Sequence, residues 1–277
     1  MKMLRRILVM TFFLCLAANL KGQEFVWEVH FDYLFDNREY SELTVAESRT
    51  LFGARIVPQA GLGWGSGNSI MAGVGLQADF GQRSFYTDPE LVLYYAWQTE
   101  KRNVYAGAFP RSKMIGEYSN AFFSDSVRFY DGNLEGLLLQ LKGNRGYMEW
   151  GCDWNSMYSD DRREKFMLFS SGRIDFGVFY AGYNLNMYHF AASKTERGVV
   201  DNVLVYPHLG VDFSGRYGFG CLYLRAGWLQ AFQNDCTFIE HYVKPGGAQI
   251  DLRMERWGFW IFNSLYLGPT IMPYYNS

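Results

Sequence analysis

The chain has 277 residues, a formal net charge of −2, 18% aromatic residues, 29 glycines and 7 prolines. The nearly balanced charge argues against a nucleic-acid partner, because binding to phosphates calls for a basic surface. The cysteines are too few and too irregularly spaced for a disulfide scaffold or a zinc site. Apolar packing is expected for Cys152 and Cys221, and a Cys221–Cys236 disulfide is the alternative.

The first residues have the pattern of a secretory signal peptide. A basic start is followed by an apolar run at residues 7–18 and then by smaller side chains. This run is shorter than the roughly 20 residues of a transmembrane helix. We expect cleavage after Gly22, with cleavage after Ala18 as the alternative. The predicted organisation is therefore a signal peptide at residues 1–22 and a β-barrel domain at residues 23–277 of an exported protein.

The segment FVWEVHFDYLFD, residues 25–36, alternates between apolar and mostly polar side chains. Such alternation predicts an extended strand with one apolar and one polar face. The pattern recurs almost to the end of the chain, in about thirteen segments of roughly ten residues, which is the length that a tilted strand needs to cross a bilayer. No segment after the signal peptide has the apolar length of a membrane-spanning helix.

The connections between these segments alternate in length. A short GSGNS at residues 65–69 and a short GNRG at residues 143–146 contrast with long links such as residues 111–133. Outer-membrane barrels have short periplasmic turns and longer outside loops. The predicted fold class is therefore an all-β, antiparallel up-and-down transmembrane β-barrel of about 12–14 strands. The alternative is a soluble β-sandwich or β-helix, although the strands of a sandwich are usually shorter.

Five stretches of the sequence carry a resemblance to known proteins: FDNREY (35–40), FGARIVPQAGL (52–62), YAGAFPR (105–111), EWGCDW (149–154) and DDRREKF (160–166). Over most of its mature length the chain resembles the uncharacterised outer-membrane β-barrel proteins of the Bacteroides group. The resemblance implies a barrel in the outer membrane and attaches no chemistry to these motifs. An odd strand count and an end at Ser277 depart from the even number of strands and final aromatic residue of such barrels. We therefore expect a truncated sequence or a barrel that lacks its closing strands.

The two faces of the strands have different predicted surroundings. The apolar face is predicted to contact lipid through Phe25, Trp27, Phe31, Tyr33, Phe35, Trp150 and Trp154. The polar face is predicted to line the lumen through Glu28, His30, Asp32, Arg55, Glu149, Asp153, His208, Asp212, Arg225, Asp251, Arg253 and Glu255. The mixed charges of this second set fit either a solute-selective channel or a lumen closed by ion pairs.

Few residues offer catalytic chemistry. A lipid hydrolase in this membrane would need a serine and a histidine close together on the lipid-facing side near the outer rim, with an acidic or amide partner. His189 is the one histidine at such a position, and Ser193 follows it, but no serine on a neighbouring strand is assured. The charged loop at residues 160–164 lacks the spacing of a calcium loop.

The sequence thus predicts a non-enzymatic outer-membrane barrel that passes small polar solutes. It assigns no catalytic residue, metal or cofactor, and it identifies no partner protein; outer-membrane lipid is the expected surrounding. One alternative is a barrel with a closed lumen that serves as a surface binding or assembly protein. The other is a lipid-modifying enzyme, a hydrolase or deacylase, with His189 as its base.

Overall fold

The structure is a computed structural model that describes residues 22–39, 48–81, 89–160, 162–193, 198–236 and 241–271. The chain forms two compact units, Met1–Thr99 and Glu100–Ser277. The predicted signal peptide lies outside the described residues, apart from Gly22. In the part of the chain that the structure describes, the helices are too short or too polar to span a membrane.

Thirteen strands and two short helical segments make up the described chain. In the first unit the strands are β1 (Gln23–Arg38), β2 (Arg49–Trp64), β3 (Asn68–Asp79) and β4 (Glu90–Gln98). In the second unit they are β5 (Arg102–Pro110), β6 (Asn133–Gly143), β7 (Gly146–Ser156), β8 (Lys165–Phe176), β9 (Phe179–Phe190), β10 (Val200–Asp212), β11 (Cys221–Asp235), β12 (Gly246–Arg256) and β13 (Phe259–Leu267). A 3-10 helix, Arg111–Lys113, and a six-residue α-helix, α1 (Asp125–Tyr130), lie between β5 and β6.

Within each unit, every strand pairs antiparallel with the next strand along the chain. The predicted all-β up-and-down architecture and the predicted number of strands are confirmed. In the described residues β1 is paired with β2 alone, and β13 is paired with β12 alone. The helix α1 forms inside the long link at residues 111–133, and residues 213–220 connect β10 to β11.

The predicted alternation appears as alternating burial along the strands. In β2, for example, Arg55 and Val57 are buried while Ile56 between them is 41% exposed. The period of two sends successive side chains to opposite faces of the sheet. The buried face is the polar one over much of the chain, and the exposed face is the aromatic and aliphatic one, which is the reverse of a soluble β protein.

The link between β5 and β6 packs inside the second unit, against the buried face of its strands. The backbone amides of Ile115 and Gly116 donate hydrogen bonds to the Glu149 carboxylate at 2.7 and 3.1 Å. The Tyr118 hydroxyl and the Gln140 amide donate to the same carboxylate at 3.2 and 2.6 Å. Burial, with the nearby Glu149 charge adding to it, raises the pKa of the Tyr118 hydroxyl well above its ordinary value, so that this group remains a donor.

Further along the link, an arginine and an aspartate of two neighbouring strands form the centre of a second set of contacts. Arg225 donates from Nε to Asp251 at 2.7 Å and from Nη1 to the Glu117 carbonyl at 2.7 Å. Gln249 bridges the Asp251 carboxylate at 2.9 Å and the Ser119 hydroxyl at 2.6 Å. Both charged side chains are almost fully buried, at 1% and 0% exposure, so each depends on the other for compensation of its charge.

We predict that Asp251→Ala lowers the free energy of unfolding by about 3–5 kcal/mol, because the buried Arg225 charge then loses its partner. Replacing both residues with apolar side chains, as Arg225→Met together with Asp251→Leu, should cost much less. Denaturant titration of the protein refolded in lipid vesicles measures both changes. Asp160→Ala, at an exposed aspartate, is the control and should change stability by no more than about 0.5 kcal/mol. Equal effects of Asp160→Ala and Asp251→Ala would contradict a structural role for the buried pair.

Candidate functional site

The residues predicted to line the lumen fall into three groups in the structure. Six are buried: Arg55, Glu149, Asp153, His208, Arg225 and Asp251. Four are half-buried, namely Glu28, His30, Asp212 and Glu255, and two are exposed, namely Asp32 and Arg253. Exposed Asp32 still approaches Arg55 Nη1 at 3.9 Å. That all twelve line one lumen remains a prediction.

Ion pairs hold several of these buried charges. Arg55 contacts Glu90 at 2.6 Å in the first unit. In the second unit Arg111, at the start of the link that packs inside, contacts Asp153 at 2.9 Å and also Asp131. These contacts, with those of Glu149 and Asp251, occupy the polar face with protein groups. They give no support to an open passage for solutes through the second unit.

Within the described chain, the polar face brings together no set of residues with the geometry of a metal centre. Among the described residues, no group of three or more histidine, cysteine, aspartate or glutamate side chains is placed to hold a metal ion. The three cysteines in this part of the chain are all free thiols.

The exposed face carries a histidine–aspartate pair beside the long link between the end of β9 and the start of β10. The strand register places His189 directly opposite Asp201, and Nδ1 of the histidine lies 2.6 Å from Oδ1 of the aspartate. The side chains are 24% and 21% exposed. Both lie at odd positions of strands whose even positions, such as Asn186 and Asn202, are buried. The pair is thus on the face that carries the exposed apolar side chains.

Two aromatic rings continue this row across the neighbouring strands. Phe166, opposite His189 on β8, lies with its ring centroid 4.9 Å from the imidazole. Trp154, opposite Phe166 on β7, stacks on it at 5.1 Å with 14° between the planes. The Phe166 ring packs against the imidazole, and Asp201 contacts its Nδ1 edge. Nε2 makes no hydrogen bond to any described residue.

Sequence reasoning identified His189 but missed Asp201. A loop separates the two residues in the chain. They lie opposite each other because of the antiparallel register between β9 and β10, which the sequence does not give. A one-residue shift of register would have moved Asp201 to the buried face. Ser193, the other residue suggested by the sequence, lies in the described part of the link after β9 and is half-buried.

A second polar group lies on the exposed face in the first unit. Thr50 Oγ1 donates to Asn37 Oδ1 at 2.8 Å, and Asn37 Nδ2 donates to Glu39 at 3.1 Å. These residues are exposed, and they lie at the end of β1 and the start of β2, beside the long link that joins the two strands. Polar side chains that contact each other on a largely apolar exposed face are unusual enough to mark a site for testing. The sequence pattern DNREY drew attention to this end of β1 without indicating the Asn37–Thr50 contact.

Comparison with protein families gives a match over residues 21–192 to the family described as lipid A 3'-O-deacylase-type. The match covers more than half of the chain and includes His189, Asn37 and Thr50; Asp201 lies beyond it. Comparison with curated proteins gives no significant match.

Comparison with solved structures identifies outer-membrane barrels. In vitro folded OmpT of Vibrio cholerae, an outer membrane protein in a trimer form, is similar with a TM-score of 0.50 over 90% of each chain and 10% identity. A second structure of OmpT from Vibrio cholerae has a TM-score of 0.44, 9% identity and coverage of 90% of this chain and 87% of its own. At its low identity the first similarity shows the fold alone, which is that of an outer-membrane β-barrel. Together with the family match, it locates the protein in the outer membrane.

These comparisons correct the function predicted from sequence. The expectation that the protein is not an enzyme is wrong, because the matching family is a deacylase-type family. The resemblance to outer-membrane barrels was correct at the level of the fold, but the chain matches a defined family rather than a generic group. The sequence prediction set the enzyme aside because no serine on a neighbouring strand was assured beside His189; the structure does give this histidine an acidic partner, Asp201.

We predict that the exposed face of the barrel meets lipid, as assigned for Phe25, Trp27, Phe31, Tyr33, Phe35, Trp150 and Trp154. All seven are exposed in the structure, from 38% for Trp150 to 70% for Phe25. Nitroxide labels at position 29, which is exposed, and position 30, which is half-buried, test the assignment in β1. In a bilayer, label 29 should relax faster with oxygen and label 30 with a water-soluble nickel chelate.

Positions 209 and 208 of β10 form a matched pair for the second unit, because Leu209 is 70% exposed and His208 is 7% exposed. A nitroxide label at position 209 should relax faster with oxygen, and a label at position 208 should relax faster with the nickel chelate. A reversed preference in either pair would show that the polar face, rather than the aromatic face, contacts the membrane.

Proposed function

Because the chain belongs to the lipid A 3'-O-deacylase-type family, we propose that it is an outer-membrane enzyme that hydrolyses an acyl ester of a lipid, with lipid A as the substrate class. The observation that carries the proposal is the 2.6 Å contact between His189 and Asp201 on the exposed face. A histidine oriented by a carboxylate is the arrangement that general-base catalysis uses in acyl transfer.

The proposed chemistry follows from the two edges of the imidazole. The Nδ1 proton, donated to Asp201, fixes the neutral tautomer that keeps the Nε2 lone pair available. Nε2 takes a proton from a water molecule as the water oxygen attacks the ester carbonyl carbon, and the carbonyl electron pair moves to its oxygen. When the tetrahedral intermediate collapses, the ester C–O bond breaks, and Nε2 returns the proton to the departing alkoxide. The products are a free fatty acid and a deacylated lipid.

The position of the pair suits a lipid substrate. It lies at the long-loop end of β9 and β10, and outer-membrane barrels place their long loops outside. Aromatic rings such as Trp154 and Phe166 occupy the boundary between headgroups and hydrocarbon in such barrels. An acyl ester of an outer-leaflet lipid lies at the same boundary, so the scissile bond can reach Nε2 without leaving the membrane.

We expect His189→Ala to lower the release of fatty acid by about a thousandfold or more, because the general base is lost. Asp201→Asn should lower it by a similar factor, since an amide no longer holds the reactive tautomer. The assay uses the protein in proteoliposomes that contain purified lipid A, with mass spectrometry of both products.

His30→Ala is the matched control. His30 Nε2 lies 2.7 Å from Glu28, but the contact does not have the angles of a hydrogen bond, and the two residues are on the same strand. This variant should keep full activity. Thr50→Val removes the hydroxyl of the second polar group without changing the volume of the side chain much. If Thr50→Val abolishes release while His189→Ala does not, the reaction takes place at the Asn37–Thr50 group and the His189 assignment fails.

A further inference from the structure

A basic groove lies at the opposite, short-turn end of the strands in the second unit. It has a volume of about 660 Å³ and surrounds the two-residue turn between β6 and β7. Its wall includes four cationic side chains, Lys101, Lys142, Arg145 and Arg173, and no acidic side chain of the described chain. The groove is far along the strands from His189 and has no part in the proposed hydrolysis.

The cations of the groove differ in how far they are neutralised. Arg173 contacts Asp175 at 2.7 Å, Asp212 at 2.5 Å and Glu117 at 3.5 Å, so its charge is compensated within the protein. Lys101 and Arg145 are exposed and have no ion pair with any residue in the described part of the chain. Glu100 precedes Lys101 in the chain but is exposed and does not line the groove. The groove therefore has a net positive charge.

Backbone hydrogen bonds fix the chain positions that carry these cations. The Lys142 amide donates to the Lys101 carbonyl at 2.7 Å, and the Asp175 amide donates to the Arg145 carbonyl at 2.8 Å. Gly146 allows the second contact, because its φ is +144° and a Cβ at this position would lie 1.9 Å from the Arg173 carbonyl oxygen. The close approach of the turn to β8 thus presents Arg145 beside the groove.

The other wall of the groove is apolar. Leu141, Met148 and Ile174 line it and are 46%, 40% and 49% exposed. They lie on the same face as Trp150, which is the face that we assign to lipid. A cationic rim above an apolar, membrane-facing wall matches the shape of a phospholipid with an anionic headgroup, whose phosphate meets the cations while its acyl chains follow the wall.

We propose that this groove binds an anionic phospholipid of the periplasmic leaflet. Short turns of outer-membrane barrels face the periplasm, and that leaflet is the one within reach of the turn between β6 and β7. The occupant is recognised by negative charge on its headgroup together with acyl chains, so that neither a zwitterionic lipid nor a soluble phosphate is equivalent to it.

The test is lipid binding by the full-length protein in detergent. The protein is equilibrated with equal amounts of phosphatidylglycerol and phosphatidylcholine of identical chains, and the bound lipid is counted by mass spectrometry of intact complexes. The wild type should retain phosphatidylglycerol by about tenfold or more over phosphatidylcholine. Lys101→Gln with Arg145→Gln should lower that preference by roughly 30-fold, enough to abolish it, since each cation near an anionic lipid surface contributes about fivefold in affinity.

Arg216→Gln with Arg253→Gln is the matched control, because it removes two exposed cations near other turns at the same end. It should leave the preference unchanged. The charge-preserving exchange Lys101→Arg with Arg145→Lys should also keep it, which separates loss of charge from loss of fold.

Three results would overturn the proposal. The first is a wild type without a preference for phosphatidylglycerol. The second is an equal loss of the preference in the Lys101→Gln, Arg145→Gln variant and in the Arg216→Gln, Arg253→Gln control, which would mean that only net charge matters. The third is displacement of bound phosphatidylglycerol by glycerol phosphate as effectively as by added phosphatidylglycerol, which would make the groove a site for soluble anions. None of these results depends on hydrolysis at His189, whose failure would leave this proposal unaffected.

Discussion

The hydrogen bonds between strands are the constraint on which the rest of this structure depends. In hydrocarbon, each backbone amide or carbonyl without a partner costs several kcal/mol, so a chain can cross with strands only if neighbouring strands satisfy one another. The long antiparallel ladders do this, as in the sixteen residues of β1 that pair with β2. Once the backbone is paired, each side chain lies on one of the two faces of the sheet. The face that a residue occupies then decides whether it is buried with the polar side chains or exposed with the apolar ones.

The two faces meet different physical demands. On the buried face, charges such as Arg225 and Asp251 are stabilised by each other and by the link between β5 and β6, whose amides also bind Glu149. On the exposed face, apolar side chains need no partner, so the few polar contacts there are conspicuous. The His189–Asp201 pair is one of these, and it is the pair for which we propose a role in lipid hydrolysis.

The fold was predictable from sequence to a greater extent than the site. The alternation in residues 25–36 and the alternating lengths of the links depend only on local periodicity, and the structure confirms the architecture that they predict. Asp201 could not be assigned in that way, because its contact with His189 requires the exact register of two strands. The contacts of Ser119 with Gln249 and of Glu117 with Arg225 join residues more than a hundred positions apart, beyond the reach of any local pattern.

In the proposed reaction, water activated by His189 on the exposed face of the barrel cleaves an acyl ester of a lipid. Incubation of proteoliposomes containing lipid A in water enriched in oxygen-18 tests this most directly, with mass spectrometry of the extracted lipids. We expect the released fatty acid to carry one heavy oxygen in its carboxyl group and the deacylated lipid to carry none. Absence of released fatty acid, or heavy oxygen in the sugar hydroxyl instead of the acid, would contradict it.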